Sequence, residues 1–182
     1  MNTDSSGKRA TSSAFVVLVA AAVGCAGHAP GSGESVPGAS TVALHPAVDF
    51  AFESLDERPV SAETLRGKVT LIVFLTTSSL PAQAQVDFLV AMAKHDADHV
   101  NYAAVALEQR DDRELVEMYR KSLAIPFPMA VADTATLHGQ GPFGDVSAVP
   151  VTVILDRAGR MVWRVDGRVA KSDELRAAMR GL

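Results

Sequence analysis

The sequence predicts an α/β domain in which helices pack on a partly parallel sheet. Residues 69–75 form a near-continuous apolar, β-branched run, which is typical of a strand buried on both faces. Residues 102–107 and 151–155 have the same character, and segments with helical spacing separate the three runs. Helices that connect buried strands in this way indicate right-handed crossovers and parallel neighbours.

The first 25 residues have the pattern of a secretion signal. Lys8 and Arg9 precede the apolar run 14–23, which has the length of a signal h-region and is too short to span a bilayer. The run ends in Ala-Val-Gly-Cys at residues 22–25, which resembles a bacterial lipobox with alanine where leucine is usual. We interpret residues 1–24 as a lipoprotein signal peptide and Cys25 as the lipidated residue. The alternative is an ordinary signal peptide with a chance cysteine.

A spacer follows the signal. Residues 25–47 are rich in Gly, Pro, Ser and Ala, with almost no charge and no apolar period. Such a composition buries too little surface to order itself, so we expect a flexible tether. The remaining residues, 48–182, are enough for one globular domain and too few for two.

Within this domain the elements alternate. Residues 81–96 carry apolar side chains at helical spacing, and residues 111–123 begin with a capping pair, Asp111 and Glu114. Residues 156–160 contain Asp and Gly and predict a hairpin turn to a half-exposed strand at 161–165. A closing helix is predicted over 172–181, with acidic residues first and arginines later.

Composition excludes several functions. The chain has 17 Lys and Arg against 21 Asp and Glu, a net charge of −4, so it lacks the basic field that nucleic-acid binding needs. One cysteine cannot form an intramolecular disulfide, a Cys-x-x-Cys pair or a multi-cysteine zinc site. We therefore expect no metal and no cofactor.

Four segments carry a resemblance to a known family. Residues 49–55 (DFAFESL) and 60–69 (VSAETLRGKV) precede the first buried strand, and residues 125–128 (IPFP) and 148–160 (AVPVTVILDRAGR) follow later. In this order they resemble the TlpA/ResA-like thioredoxin-fold proteins, redoxin-like thiol-disulfide proteins of the cell envelope. The resemblance covers residues 48–182. It implies a thioredoxin-like three-layer sandwich with a mixed central sheet and helices on both faces.

The family's active-site motif is replaced in this chain. Ser79-Leu80-Pro81-Ala82 stands where the resemblance places Cys-x-x-Cys, and Gln85 stands where relatives often carry a glutamate. Disulfide exchange needs a thiolate nucleophile, which a serine hydroxyl does not replace. Glutamine cannot titrate. We expect the redox reaction to be absent, although the family label leaves a residual or unrecognised redox role as the alternative.

The resemblance also implies a peptide-binding face. Val149-Pro150 matches the family's cis-proline position, where the strand edge before the proline can pair with an extended partner. Phe143 in the neighbouring glycine-containing loop 138–144 is a candidate contact. We predict an envelope protein or peptide as the partner, with the membrane reached through the lipid anchor and the domain facing the periplasm or extracytoplasmic space. The alternative is a scaffold without a partner.

Three further patterns have simple interpretations. Ser79 lacks the Gly-x-Ser-x-Gly context of a nucleophile and is better interpreted as a helix N-cap. His95 and His99 have the i, i+4 spacing of metal ligands if the helix extends that far, but we favour the solvated end of a helix. The loop 138–144 has three glycines but neither follows a predicted strand nor opens a helix, which argues against a phosphate site.

Overall fold

The structure is a computed structural model that describes residues 45–182. Its strands, in chain order, are β1 (Ala51–Ser54), β2 (Val60–Ser61), β3 (Val69–Leu75), β4 (Val100–Ala106), β5 (Met129–Val131), β6 (Val151–Leu155) and β7 (Met161–Asp166). Its helices are α1 (Ala62–Leu65), α2 (Leu80–Asp96), α3 (Arg113–Ser122), α4 (Thr134–Leu137) and α5 (Ser172–Met179).

The strands form one mixed sheet in the order β2-β1-β5-β4-β3-β6-β7. The strand β3 pairs in parallel with β4 and antiparallel with β6, and all seven of its residues are buried. Parallel pairing between β3 and β4 requires a crossover, and α2 supplies it. The mixed sheet with helices on both faces confirms the predicted fold class.

The second predicted crossover leads to a different strand. We expected the helix after β4 to connect to residues 151–155, but α3 connects to β5, which pairs in parallel with β4. The strand at 151–155 lies instead on the other side of β3, antiparallel to it. The strand β5 has only three residues and follows two prolines, Pro126 and Pro128, so no strand-length pattern marked it in the sequence.

The predicted cap of α3 is also wrong. A 3₁₀ turn over Arg110–Asp112 precedes the helix, and the N-cap is Asp112, whose side chain makes no capping hydrogen bond. Asp111 lies inside that turn. It therefore does not form the predicted pair with Glu114.

Two apolar layers enclose the sheet. On one face the side chains of Leu89 in α2, Val116 in α3 and Leu175 in α5 pack against alternate residues of β3 and β4. The other face is covered by α1 and by the loop before β6, and its centre is an aromatic cluster of Phe50, Phe52, Phe74 and Phe143. The start of α2 thus lies at the carboxyl end of the central strand, between well-packed layers.

Both outer edges of the sheet are irregular. At one edge, β2 has only two residues. At the other, the pairing of β7 with β6 shifts register between Ile154 and Leu155, and β7 carries Arg164 and Asp166.

The predicted signal peptide 1–24, the lipidation residue Cys25 and the tether up to residue 44 lie outside the described residues. Within residues 45–182 no helix is long and apolar enough to cross a membrane.

Candidate functional site

Ser79 caps the helix that follows the central strand. Its Oγ accepts a hydrogen bond from the Ala82 amide at 3.3 Å, and its carbonyl accepts one from the Gln83 amide at 2.9 Å. The backbone of Ser79 is extended, as an N-cap requires. The predicted N-cap is confirmed, and the hydroxyl is directed at the helix terminus.

The residues that follow Ser79 differ sharply in exposure. The side chain of Leu80 is 78% exposed, and Pro81 is exposed in the first turn of α2. Ala82 is fully buried on the inner face of α2. The four positions of the replaced motif therefore present an apolar side chain to solvent, with neither a thiol nor a titratable group among them.

Gln85 lies one turn further along α2 and is buried. Its Oε1 accepts a hydrogen bond from the Ala170 amide at 2.6 Å, and its Nε2 donates one to the Ala170 carbonyl at 3.3 Å. The side chain therefore ties α2 to the segment that enters α5. A neutral amide can fill both roles because it carries a donor and an acceptor.

The Val149–Pro150 segment is held by the end of β7. The peptide bond between the two residues is cis. The Gly167 amide donates to the Ala148 carbonyl at 2.6 Å and to the Pro150 carbonyl at 3.0 Å. The Val149 amide donates to the Ser147 carbonyl at 3.0 Å. At the predicted strand edge, the Val149 amide that a partner strand would need already donates a hydrogen bond within the turn. Only the Val149 carbonyl therefore remains for pairing with a partner.

Phe143 is not a surface contact. It is 2% exposed, and its ring centre lies 5.0 Å from that of Phe74 and 5.1 Å from that of Phe50. The guanidinium of Arg164 donates to the main-chain carbonyls of Phe143 and Asp145 and fastens the loop to β7. The predicted peptide-binding role of Phe143 is wrong, because the aromatic core takes up its side chain.

Glu108 supports the loop between β3 and α2. Its Oε1 accepts from the Thr77 amide at 2.6 Å and from the Thr77 hydroxyl at 2.8 Å. The residue follows the end of β4, which is the parallel neighbour of β3, so the two carboxyl ends bring Thr77 and Glu108 together. Sequence reasoning missed this pair, since 31 residues separate its members.

A groove lies beside the same loop. It has a volume of about 470 Å³ and is lined by Thr77, Ser78, Leu115, Met118, Tyr119 and Ser122; we call it the α3 groove. Leu115 is 45% exposed and Met118 is 56% exposed. Burial raises the pKa of Tyr119 to about 12, and the carboxylates of Asp87 and Glu108 act in the same direction. The Tyr119 hydroxyl therefore stays protonated at neutral pH.

The histidines do not add a catalytic or metal-binding group to this edge. His95 is exposed in the last turn of α2, about 24 Å along the helix from Ser79 at ~1.5 Å per residue. His99 lies beyond the end of the helix, so the two imidazoles do not share a helical face. His138 contacts the Thr134 carbonyl through Nδ1 at 2.7 Å. Among residues 45–182 no group of three metal-ligating side chains comes together.

Comparisons with known proteins find similarity in structure. No protein-family model matches the chain, and no curated protein matches it in sequence. A thio-disulfide isomerase from Thermus thermophilus is 27% identical, with a TM-score of 0.60 over 74% of this chain and 92% of that one. A DsbF homologue from Corynebacterium diphtheriae is 19% identical, with a TM-score of 0.64 over 75% and 86%. A thiol:disulfide interchange protein of the thioredoxin family from Chlorobium tepidum is 20% identical, with a TM-score of 0.64 over 74% and 93%.

Proposed function

We propose that this chain, a TlpA/ResA-like thioredoxin-fold protein by its structure and its solved neighbours, is a redox-inactive module that binds a protein or peptide partner in the cell envelope. The neighbours are described as thiol-disulfide enzymes. The chain keeps their fold and lacks the pair of thiols that their chemistry uses.

The missing thiols argue against thiol-disulfide exchange. By the family resemblance, Ser79 and Ala82 stand where the two cysteines would be, and the single cysteine of the chain, Cys25, belongs to the N-terminal segment. Exchange passes through a mixed disulfide that a second thiol resolves. A chain with one cysteine cannot complete that cycle within itself.

The observation that carries the binding proposal is the exposed apolar surface beside the capped start of α2. Leu80 is exposed in the first turn of α2, and Leu115 and Met118 border the α3 groove, whose lining also includes Thr77 and Ser78 just before that helix. Large apolar side chains that are exposed around one concave surface are typical of interaction sites. The fixed loop favours binding, because Glu108 holds Thr77 in place before a partner arrives.

The Val149 carbonyl is a further candidate contact for the proposed partner. It accepts no main-chain hydrogen bond from the described residues outside the strands and helices, whereas the Val149 amide is occupied. We therefore expect side-chain contacts with Leu80 and the α3 groove to contribute more affinity than strand pairing at Val149.

The proposal includes a membrane tether. A lipidated Cys25 followed by a spacer to residue 47 would hold the domain near the membrane surface on the extracytoplasmic side. The extracytoplasmic interpretation agrees with the secreted disulfide oxidoreductase found among the similar structures.

Site-specific photo-crosslinking in native envelopes tests the binding face. A photoreactive amino acid is placed at Leu80, at Met118 or, as the control, at Val162, which is exposed on the edge strand β7. We expect one discrete cross-linked species from Leu80 and from Met118 and none from Val162. Equal cross-linking from all three positions, or none from any, would overturn the proposal.

The second candidate, a residual redox role, rests on the thiol-disulfide enzymes among the structural neighbours. It requires the Cys25 thiol to be free and to reach a disulfide. A redox assay of the chain with insulin disulfides as substrate separates it from the binding proposal.

A further inference from the structure

A second cavity lies at the opposite end of the sheet from Ser79. It has a volume of about 260 Å³ and is lined, among others, by Arg58, Lys94, Ala97, Tyr102, Phe127 and Pro128; we call it the β4 cavity. Tyr102 lies near the start of β4, whereas Ser79 follows the end of the parallel strand β3. Nothing in the proposed partner-binding face extends to this cavity.

The β4 cavity exists because the pairing of β4 with β5 stops early. The last parallel pair is Ala104 with Met129, and the Ala104 amide donates to the Pro128 carbonyl at 3.0 Å. One step further, Tyr102 would accept a hydrogen bond from residue 128, but proline has no N–H. The chain also bends at Phe127, away from an extended course.

The main chain of Tyr102 is left without partners on this side. In a parallel strand, every second residue directs both its N–H and its C=O toward the same neighbouring strand. The main-chain N–H and C=O of Tyr102 therefore face the β5 side, as those of Ala104 do. The Pro126 carbonyl, which would accept from the Tyr102 amide, instead accepts from Arg58 Nη1 at 2.7 Å. Within residues 45–182 no other main-chain hydrogen bond replaces either of them. Buried main-chain groups are normally paired, so this donor and acceptor are available to a ligand.

The walls of the β4 cavity are apolar and aromatic. Tyr102 is 3% exposed and Phe127 is 5% exposed, and their rings stack with centres 5.9 Å apart. The Tyr102 hydroxyl is buried, with the Asp96 carboxylate nearby. Ala97 is small and exposed at the opening. These surfaces suit an apolar body that also carries hydrogen-bonding groups.

Two of the residues that line the β4 cavity are basic, Arg58 and Lys94. Arg58 is neutralised by Asp56, with Nη2 2.5 Å from Oδ2. Lys94 is exposed and forms no ion pair with any of the described residues. Among the lining residues, Lys94 therefore supplies the one uncompensated charge, which favours an anion at the opening.

We propose that the β4 cavity binds a small N-acylated apolar amino acid. The amide of the ligand makes one of the two missing hydrogen bonds at the Tyr102 main chain, its apolar side chain packs against the Tyr102 and Phe127 rings, and its carboxylate faces Lys94. The volume holds on the order of nine water-sized groups, which matches a ligand of this size with its carboxylate at the rim.

The test is a titration of the full chain with N-acetyl-L-leucine, followed by amide chemical shifts in two-dimensional NMR. We expect saturable shifts at Lys94, Ala97 and Tyr102, with a Kd of roughly 1 mM, and none at Ser79. Two related probes serve as controls. N-acetyl-L-leucine amide lacks the charge and should bind about twofold to fivefold more weakly. 4-Methylpentanoate lacks the amide and should bind about tenfold more weakly.

Variants with matched controls locate the site. Ala97→Trp, directly after α2, fills the opening and should abolish the shifts, whereas Ala91→Trp, at an exposed position within α2 that does not line the cavity, should not. Lys94→Gln should weaken binding about twofold to fivefold, whereas Lys121→Gln on α3 should leave it unchanged. Thermal unfolding midpoints identify any variant that fails to fold. If Ala97→Trp fails to fold, the comparison of Lys94→Gln with Lys121→Gln tests the site.

Binding that follows this pattern supports the proposal. A titration without saturable shifts up to about 20 mM, far above the expected Kd, overturns it. So do shifts centred away from β4, or a folded Ala97→Trp variant that binds as tightly as the unaltered chain.

Discussion

Gln85 and Ala170 exchange two hydrogen bonds in the interior, one through each half of the glutamine amide. The position resembles one where related proteins often carry a glutamate. A carboxylate could accept from the Ala170 amide but could not donate to the Ala170 carbonyl unless it were protonated. The glutamine therefore joins α2 to the segment before α5 by a bond pair that an ionised acid cannot make.

Gln85→Glu should destabilise the fold at neutral pH by about 2–4 kcal/mol, because it buries a carboxylate and leaves the Ala170 carbonyl without a donor. Burial raises the pKa of such a carboxyl above its value in the unfolded chain, so the penalty exists above the raised pKa and disappears below the unfolded pKa. The stability gap to the unaltered chain should therefore shrink as the pH falls from 7.5 to about 4.

Urea unfolding at several pH values measures this gap, and Gln83→Glu, the same change at a half-exposed position of the same helix, is the control. A Gln85→Glu gap that is constant with pH would contradict the interpretation of Gln85 as a neutral tie.

Ser79→Ala should lower the free energy of unfolding by about 1 kcal/mol, because the Ala82 amide loses its capping acceptor. Ser78→Ala, one residue earlier and exposed, should change it by less than about 0.5 kcal/mol. Chemical denaturation compares the two. Equal effects would mean that the Ser79 hydroxyl does not stabilise the helix start.

Cysteines at positions 79 and 82 should create a pair that can form a disulfide. In a Cys25→Ser background, we expect the double variant S79C/A82C to lose both free thiols on oxidation and to regain them with reductant, as thiol titration measures. A82C alone should keep a poorly reactive thiol, because position 82 is buried.

The unaltered chain should not reduce insulin disulfides, since it has no thiol pair. Turnover above the protein-free background would favour the residual redox role instead. A folded double variant that fails to oxidise would show that the loop has left the family arrangement.

Ala124→Gly should stabilise the protein by about 0.5–1 kcal/mol. Ala124 has φ = 48° directly after the C-cap of α3, and a left-handed conformation costs a residue with a Cβ about 1–2 kcal/mol. Ala91→Gly, inside α2, should destabilise by about 0.5–1 kcal/mol, since glycine is unfavourable within a helix. Thermal unfolding gives both signs, and a loss of stability in both variants would contradict the expectation for Ala124.

Cys25→Ser should release the protein from membranes, because the lipid would be attached through the Cys25 sulfur. Detergent phase partitioning of the mature protein measures the change, with Ser40→Ala in the tether as a control that should stay in the detergent phase. A processed Cys25→Ser protein that still partitions with detergent would exclude lipidation at this residue.

The sequence predicted the centre of the sheet well, because burial on both faces makes a strand uniformly apolar. The strand β3 matches the predicted residues 69–75, and β6 matches 151–155. The N-cap at Ser79 was also predictable, since a serine directly before a helical segment with proline in its first turn has few other roles.

The remaining features depend on contacts that no local pattern encodes. Phe143 belongs to the aromatic core, but a single aromatic residue in a glycine-containing loop has no period that marks it as buried. Glu108 contacts Thr77 across 31 residues of chain. The strand β5 is too short for its sequence pattern to predict a strand, and it is recognised only by its pairing with β4.

The irregular outer strands limit how copies of the domain can meet. The short strand β2 leaves few main-chain N–H and C=O groups with which a neighbouring molecule could pair. At the other edge, the register shift and the charged side chains of β7 hinder such pairing. If a lipid anchor concentrates the protein on a membrane surface, adjacent copies should not polymerise by joining their sheets edge to edge. Crowding at the membrane would then leave the domains as separate units.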